Sequence, residues 1–504
     1  MPDIQFNQIP AGATLLVPGL FYEVDPSQAA QTDDPGRALY IGQLVAGGTA
    51  VAGQVYPIAT MEQAKTLFGA ASQLVAMLKA HRRTDPFGLL YACGLADAGG
   101  TTKASMTITV TAAATAPGQV PLWIAGVPVP VVLAGTETVN QTAAAVAAAI
   151  NAVPDLPVTA AAVNAVVTLT AVNGGTLGND IRVSNGWLGA AGGEVQPTAF
   201  AATLSAAALA GGATDPTVGA AFAALGDTTY DFIGMPYTDA GNLNAADAAM
   251  GLTNSGRWAF NRMVYGHVFT AKRASVATAQ TLGLGRNGPF VSIAAVYDTP
   301  TPVWEWLGTA LGQTAVVLRN DPARPVTGLD LPGVQVPPLG STGRFSITER
   351  NTLLLSGIST IRIDPDNVAR IDRWVSTYQI NGLGQADQSW RGIEKHYILM
   401  RVLRRLQATW ARNFPRAKVA PDGTRVRPGA NIVTPSIGKA AIVAEMRRME
   451  ENDGLLSNVD AAIPYLRLQV NGQNPDRMDI VFPPPLIGQL FTTAVLAQFR
   501  IMQT

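Results

Sequence analysis

The C-terminal end of the chain alternates apolar and polar positions after a run of three prolines. Residues 483–485 are all proline, which is stiff and cannot donate to a sheet ladder. Beyond them, one face of a predicted β-strand carries Phe491, Thr493, Val495, Ala497, Phe499 and Ile501. Residues 15–24, near the other end, are also apolar and β-prone. Unpaired apolar ends promote aggregation, so each end pairs either inside its own fold or with a neighbouring subunit.

Residues 38–95 predict a strand, a helix and a second strand. The two apolar strands are residues 38–44 and 89–95. Between them, Thr60 opens a helix whose apolar positions run at helical spacing from Ala64 to Leu78, through Gly69. This order indicates a unit of the βαβ type.

The composition changes between residues 104 and 214. Only five charged residues occur there: Glu137, Asp155, Asp180, Arg182 and Glu194. The pattern predicts strands at 106–110, 158–162 and 165–171, a hairpin at 120–133 that turns near Gly126, and a helix at 139–152. Glycine pairs at 99–100 and 211–212 bound this stretch, which favours an inserted β-rich module.

From residue 215 the chain alternates again between helices and strands. Helices are predicted at 218–225, 245–252, 275–282 and 303–318, and strands at 231–236, 263–269 and 291–296. Such alternation is typical of a mostly parallel sheet. A proline-rich loop at 321–339 leads to the last part of the chain.

We therefore expect a multidomain protein of the α/β class, with mixed α+β content. The predicted parts are an N-terminal arm (1–25), the first part of an α/β core (26–100), an inserted β-rich peripheral domain (101–212), an α/β middle domain (213–340), a C-terminal core domain (341–480) and a C-terminal arm (481–504).

The composition points to a protein whose surface is covered by partners. Charged residues make up 14% of the 504 residues, against ~25% in a typical globular protein. Basic and acidic residues number 35 each, so the overall charge favours no partner. Cys93 is the single cysteine, which excludes an intrachain disulfide. The first residues predict no signal peptide and no apolar stretch predicts a membrane helix, so we expect synthesis in the cytosol and no membrane insertion.

The sequence offers no convincing catalytic, cofactor or metal site. Residues 283–288 match G-x-G-x-x-G, but a helix is predicted before the match and a strand after it, the reverse of a dinucleotide site. We expect His81, His267 and His396 to be isolated from one another, and His267 to be a hydrogen-bonded core residue. Asp364 and Asp366 flank a proline and predict a polar turn. We expect no enzyme and no cofactor.

A basic surface is the only cluster that suggests a partner. Residues 391–427 hold ten basic residues and two acidic ones. On the predicted helix 391–412, one side carries Arg391, Lys395, Arg401, Arg405 and Arg412, and the other side is apolar. This is either a solvated helix face or a site for an acidic partner. Interleaved aromatic residues, which favour nucleic-acid binding, are absent from the basic side.

Five segments resemble the tail sheath proteins of contractile-tailed bacteriophages, specifically the Mu-like type. They are residues 17–24, 67–77, 230–237, 349–360 and 414–418. The resemblance runs nearly end to end, and it rests on the order and spacing of these segments.

The resemblance implies a structural protein that self-assembles into stacked hexameric rings around an inner tail tube and contracts to drive the tube through the host envelope. It implies baseplate and tail terminator proteins as further partners, no direct contact with nucleic acid, and a place in the virion after assembly in the bacterial cytoplasm. Strand exchange between subunits would involve Leu20, Phe21, Tyr22, Val24, Phe491, Val495 and Phe499. The surface facing the tube would carry Arg401, Arg404, Arg405, Arg412, Arg416 and Lys418.

Two other classes stay open at this stage. An exported adhesin or carbohydrate-binding protein built on the β-rich module predicts a signal peptide. An α/β hydrolase predicts a nucleophile with a neighbouring base.

Overall fold

The computed structural model describes residues 36–253, 255–425, 427 and 430–499. Its strands are β1 (Ala38–Gln43), β2 (Val55–Pro57), β3 (Leu90–Leu95), β4 (Ser105–Ala112), β5 (Gly118–Ile124), β6 (Val127–Leu133), β7 (Val158–Val163), β8 (Val166–Ala171), β9 (Val183–Asn185), β10 (Ala201–Leu204), β11 (Phe232–Gly234), β12 (His267–Arg273), β13 (Val291–Val296), β14 (Ile358–Ile363), β15 (Ala369–Arg373), β16 (Lys418–Val419), β17 (Ile432–Val433), β18 (Arg467–Val470) and β19 (Met478–Val481). Its α-helices are α1 (Met61–Phe68), α2 (Gln73–Thr84), α3 (Val139–Asn151), α4 (Gly219–Ala224), α5 (Ala240–Met250), α6 (Val276–Leu284), α7 (Val303–Asn320), α8 (Ile347–Leu355), α9 (Ile393–Asn413), α10 (Pro435–Glu451) and α11 (Val459–Ala462).

A sheet of eight strands lies at the centre of the described residues, in the order β15-β14-β13-β12-β11-β1-β3-β2. The six inner strands pair in parallel, and the edge strands β2 and β15 pair antiparallel. Every residue of β1 and of β13 is buried, as expected of parallel strands with both faces covered by helices. The α/β class predicted from the alternation is therefore confirmed.

Helices α2 and α7 pack closely on one another. A Cβ atom at Gly308 would lie 2.5 Å from the carbonyl oxygen of Met77, and one at Gly312 would lie 2.1 Å from Oγ1 of Thr84. Only glycine at these two positions of α7 allows the helices to approach this far. The same helix buries Trp304 and Trp306 in the core.

The helix predicted from Thr60 to Leu78 is wrong as a single element. Helix α1 ends before Gly69, which has a φ of +83°. A Cβ atom at Gly69 would lie 2.2 Å from Cγ2 of Val45. Ser72 then caps α2 by accepting a hydrogen bond from the amide of Val75. A residue in the left-handed region ends a helix, so the apolar spacing continues across a break that it does not reveal.

The stretch predicted as an inserted module, residues 101–212, contains two sheets and α3. Strands β10, β4, β8 and β7 form one sheet, and β6, β5 and β9 form the other. The predicted hairpin is present, with both turn residues, Ala125 and Gly126, at positive φ. Thr138 caps α3 in a capping box with Gln141. The short strands β9 and β10 were not predicted, because three or four residues show too little alternation.

Two other element boundaries differ from the predictions. Strand β12 begins at His267 rather than at 263, because Met263 and Tyr265 adopt positive φ. Helix α5 begins at Ala240, where Asp239 caps it, rather than at 245.

Strands β14 and β15 extend the central sheet, so the predicted boundary at residue 340 does not separate two sheets.

Residues after 392 build a second, smaller core, and we call α9–α11 with β16–β19 the C-terminal subdomain. Helix α9 places Ile393, Tyr397 and Met400 in the large core, and Ile398 and Val402 in the small one. This helix therefore connects the subdomain to the central sheet. Within the described residues, no helix is both long and apolar enough to cross a bilayer.

Candidate assembly surfaces

The C-terminal segment is anchored before it leaves the subdomain. The amide of Ser457 donates to the carbonyl of Pro485 at 2.9 Å, and the amide of Ile487 donates to that of Leu455 at 3.0 Å. Leu486 and Ile487 pack against the small core. The chain is therefore fixed at residues 485–487, and it leaves the subdomain only after them.

Beyond this anchor the segment is exposed. Residues 492–499 are all exposed, with Val495 at 81% and Phe499 at 89%. No strand pairing is found for residues 487–499 within the described part of the chain. Phe491 differs from these residues, because its ring lies 4.1 Å from the guanidinium carbon of Arg373 in the same chain. Leu20, Phe21, Tyr22 and Val24, the predicted exchange residues of the other arm, lie outside the described residues.

The hairpin of β18 and β19, which precedes this segment in the sequence, has open sheet edges. Its two strands pair only with each other among the described residues. Alternate residues of β18 are half-buried, and Val481 at the end of β19 is 60% exposed. A two-stranded sheet is marginally stable by itself and gains hydrogen bonds from any strand added at its edge.

Three of the six predicted tube-facing side chains make contacts within the chain. Arg404 donates to the buried carboxylate of Asp231 at 2.6 Å. Arg405 lies 2.8 Å from Asp453 and 3.5 Å from Glu445. Arg401 donates to the backbone carbonyl of Arg319 at 2.9 Å. The predicted basic face of α9 is thus partly an interface between α9 and its own chain.

The other three side chains are exposed. Arg412 lies in the last turn of α9, and Arg416 and Lys418 follow it. Arg416 has a φ of +55°. Arg425 and Arg427 are exposed nearby in the sequence. Apart from Lys395, which is exposed in the first turn of α9, the basic surface available to a partner therefore begins where α9 ends.

Two histidines that are distant in the sequence meet inside the protein. The imidazole rings of His267 and His396 stack with centroids 5.2 Å apart, so the expectation that the histidines are isolated is wrong for this pair. Nε2 of His267 lies 2.8 Å from Oγ of Ser292, as expected of a hydrogen-bonded core residue. Burial lowers the pKa of both side chains, that of His396 to about 3. Both histidines are neutral at neutral pH and hold α9 against β12 by packing.

The remaining sequence candidates have structural roles in the described residues. Helix α6 precedes the G-x-G-x-x-G match and β13 follows it, as predicted. Asp364 pairs with Arg362 and Arg370, the latter at a very short distance. No group of three or more potential ligand side chains suitable for a metal occurs in the part of the chain that the structure describes. Sequence reasoning missed Asp231 and Asp453, the partners of the α9 arginines, because nothing local marks them.

Comparison with known proteins decides the family. The family model described as "Phage tail sheath protein central domain" matches residues 211–377. The chain is 30% identical over 499 residues to the "Mu-like prophage FluMu tail sheath protein" of Haemophilus influenzae, and the match covers 99% of each chain. The chain belongs to the phage tail sheath protein family. It is a structural subunit of a contractile tail sheath, and a component of the virion. An adhesin or carbohydrate-binding protein is not supported.

Solved sheath structures give matches of low sequence identity. The sheath tail protein Lin1278 of Listeria innocua aligns with a TM-score of 0.43 and 11% identity, over 87% of this chain and 89% of that one. Chains of the anti-feeding prophage baseplate align with TM-scores of 0.46 and, in the contracted state, 0.47, at 12% and 13% identity. Both cover 96% of this chain and 99% of the other.

Proposed function

We propose that this sheath protein assembles as stacked hexameric rings around an inner tail tube, and that contraction of the stack drives the tube through the host envelope. Family membership supports self-assembly in general. The observation that carries the specific proposal is the exposed apolar segment 492–499, which leaves a fixed anchor and pairs with nothing in its own described chain. Assembly would take place in the bacterial cytoplasm, before the tail joins the baseplate and terminator proteins.

The segment acts by adding a strand to a neighbouring subunit. Residues 492–499 would pair with the open edge of the β18–β19 hairpin of the next subunit, with Val495 and Phe499 on its buried face. The N-terminal residues Leu20, Phe21, Tyr22 and Val24 would add a second strand in the same way. Phe491 stays with Arg373 of its own chain and sets the point at which the arm departs.

Charge substitution in the arm tests this proposal. Val495→Asp with Phe499→Asp should prevent tube formation, because the added strand would bury two carboxylates. Both side chains are exposed, so the melting temperature of the monomer should not change. The matched control is Thr492→Asp with Gln498→Asp, which adds the same charge on the opposite strand face. Electron microscopy reads the outcome, and regular tubes from the first variant would refute strand exchange at this end.

We further propose that the basic surface faces an acidic wall of the inner tube. The exposed side chains Arg412, Arg416 and Lys418 carry this role, and Arg401, Arg404 and Arg405 support them by holding α9 in place. Each exposed pair contributes about 0–1 kcal/mol, but a ring repeats it along the tail. The attraction should weaken as salt screens it.

Reversing these exposed charges tests the second surface. Arg412→Glu, Arg416→Glu and Lys418→Glu together should abolish assembly of the sheath on its tube protein at low ionic strength. The isolated variant should remain folded, since none of the three is buried. Unchanged co-assembly would mean that this surface points away from the tube. The matched control carries Lys103→Glu, Arg324→Glu and Arg447→Glu, which reverse three exposed basic side chains outside this surface.

A further inference from the structure

The turn between α2 and β3 presents an aromatic side chain to solvent. Phe87 is 95% exposed, the highest exposed fraction among the large apolar side chains given for the described residues. Pro86 before it is exposed, and Leu89 after it is 43% exposed. We call residues 85–89 the Phe87 turn.

A network of hydrogen bonds to Asp85 and Arg82 fixes this turn from behind. Asp85 is 3% exposed and accepts from the amide of Gly88 at 2.9 Å and from Arg319 at 2.6 Å. Arg82 donates to three carbonyls of the turn: those of Asp85, Pro86 and Gly88, at 3.3, 3.1 and 2.7 Å. A turn with this many contacts has little conformational freedom, although its tip is exposed.

The network extends into the core. A Cβ atom at Gly88 would lie 2.0 Å from Oδ2 of Asp85 and 2.5 Å from Nη2 of Arg319, so this position requires glycine. Nε2 of His81 lies 3.4 Å from the same carboxylate, and its Nδ1 is 2.9 Å from the hydroxyl of Tyr40. Burial by itself would raise the pKa of Asp85, but His81 and Arg319 hold it well below its usual range.

This arrangement is unusual for a surface turn. Burying a carboxylate is costly unless it is paired and hydrogen-bonded, and here two partly buried arginine side chains serve this one turn. A polar residue at 87 would make the same turn without exposing an aromatic ring to water. Aromatic side chains that are held in place before binding are typical of the residues that dominate the energy of protein interfaces.

We propose that Phe87 is the anchor of a contact with a second copy of this chain. The occupant follows from the family, whose members self-assemble, and from the position of the turn. Arg319 contacts Asp85 through its guanidinium and accepts a hydrogen bond from Arg401 of α9 through its carbonyl. The turn is therefore linked through Arg319 to α9, the helix that carries the C-terminal subdomain from which the proposed exchange arm extends. The inference rests on the proposed strand exchange between copies.

The test uses the full-length protein and the concentration above which tubes form. Phe87→Ser should raise this critical concentration ~10-fold or more, the change expected when an anchoring side chain is removed. The monomer should melt at the wild-type temperature, because the ring contacts solvent. The matched control is Phe260→Ser, which removes another exposed phenylalanine, 77% accessible, and should change the critical concentration less than ~2-fold.

The outcomes separate this inference from the proposed function. An unchanged critical concentration for Phe87→Ser would overturn the inference, as would an equal rise for Phe260→Ser. If the wild-type protein builds no tubes, the proposed function fails, and the role of Phe87 is then tested by sedimentation velocity. The inference is supported if the wild-type protein associates with rising concentration and Phe87→Ser does not. It is overturned if the wild-type protein stays monomeric.

Discussion

Replacing Arg404 with methionine should loosen the attachment of α9 to the central sheet. The Asp231 side chain is 7% exposed and Arg404 is 21% exposed, and their charged atoms lie 2.6 Å apart. Methionine replaces the apolar stem of the arginine side chain but not its guanidinium, so it leaves the buried carboxylate without this cation. The hydroxyl of Tyr397 also donates to the Asp231 carbonyl at 2.8 Å, so the pair lies at the centre of this contact.

The magnitude follows from the geometry. At 2.6 Å and an effective dielectric constant of ~20, the attraction is about 6 kcal/mol, much of which the desolvation of both groups offsets. Breaking one partner of a buried pair typically costs ~3–5 kcal/mol. Because Arg404 keeps some contact with water, we expect the lower end, about 3 kcal/mol.

Hydrogen exchange of the α9 amides measures this effect directly. A loss of about 3 kcal/mol should speed their exchange on the order of a hundredfold. Arg404→Met combined with Asp231→Asn should recover much of the protection, since no unpaired charge remains. Arg412→Met on the same helix is the matched control and should have almost no effect. If Arg404→Met exchanges like Arg412→Met, the ion pair does not hold α9, and Arg404 becomes a candidate for the tube-facing surface again.

Three further predictions concern the protein without its partners. The pKa of His396 is about 3 and that of His267 is well below normal, against ~6.5 when unfolded, so the unfolded state binds more protons and stability should fall as the pH drops from ~6.5 towards 3. The unfolding free energy should decrease by up to ~1.4 kcal/mol per pH unit for each histidine, with a shallower slope in His396→Phe. Gly69→Ala should lower the free energy of unfolding by about 1–3 kcal/mol, because the added Cβ meets Val45. Gly53 has a similar φ but open space around it, so Gly53→Ala should lower the free energy of unfolding less, as measured by thermal unfolding. Excision of residues 101–212 with a short linker should leave the remaining chain folded and able to assemble, and a collapsed melting transition would contradict the peripheral position of the module.

Elements were predicted well wherever burial follows a short local period. In the inserted module, β8 and the β5–β6 hairpin were found because their buried faces alternate within one strand, and a turn with two positive φ residues joins the hairpin. Strand β13 was predicted with the bounds it has. Such patterns depend only on residues that are close together in the sequence, so a single sequence reveals them.

The α1–α2 break shows the limit of this reasoning. The apolar spacing from Ala64 to Leu78 is compatible with one helix. α1 ends where Gly69 adopts a positive φ, and Val45, which precedes the helix by 16 residues, leaves no room for a side chain at that position. The meeting of His267 with His396 has the same origin, since it depends on where α9 crosses the sheet.

The sequence by itself determined the α/β class and the family, because the first rests on periodicity and the second on segments in a fixed order. The tertiary structure alone decided what the charged face of α9 contacts. Helical spacing places Arg404 and Arg405 on one side, but Asp231 and Asp453 come from distant parts of the chain and turn that side inward. Of the six side chains predicted to face the tube, Arg412, Arg416 and Lys418 then remain exposed for a partner. The helical period specifies the direction in which a side chain points from the helix axis, and only the packed fold specifies what lies in that direction.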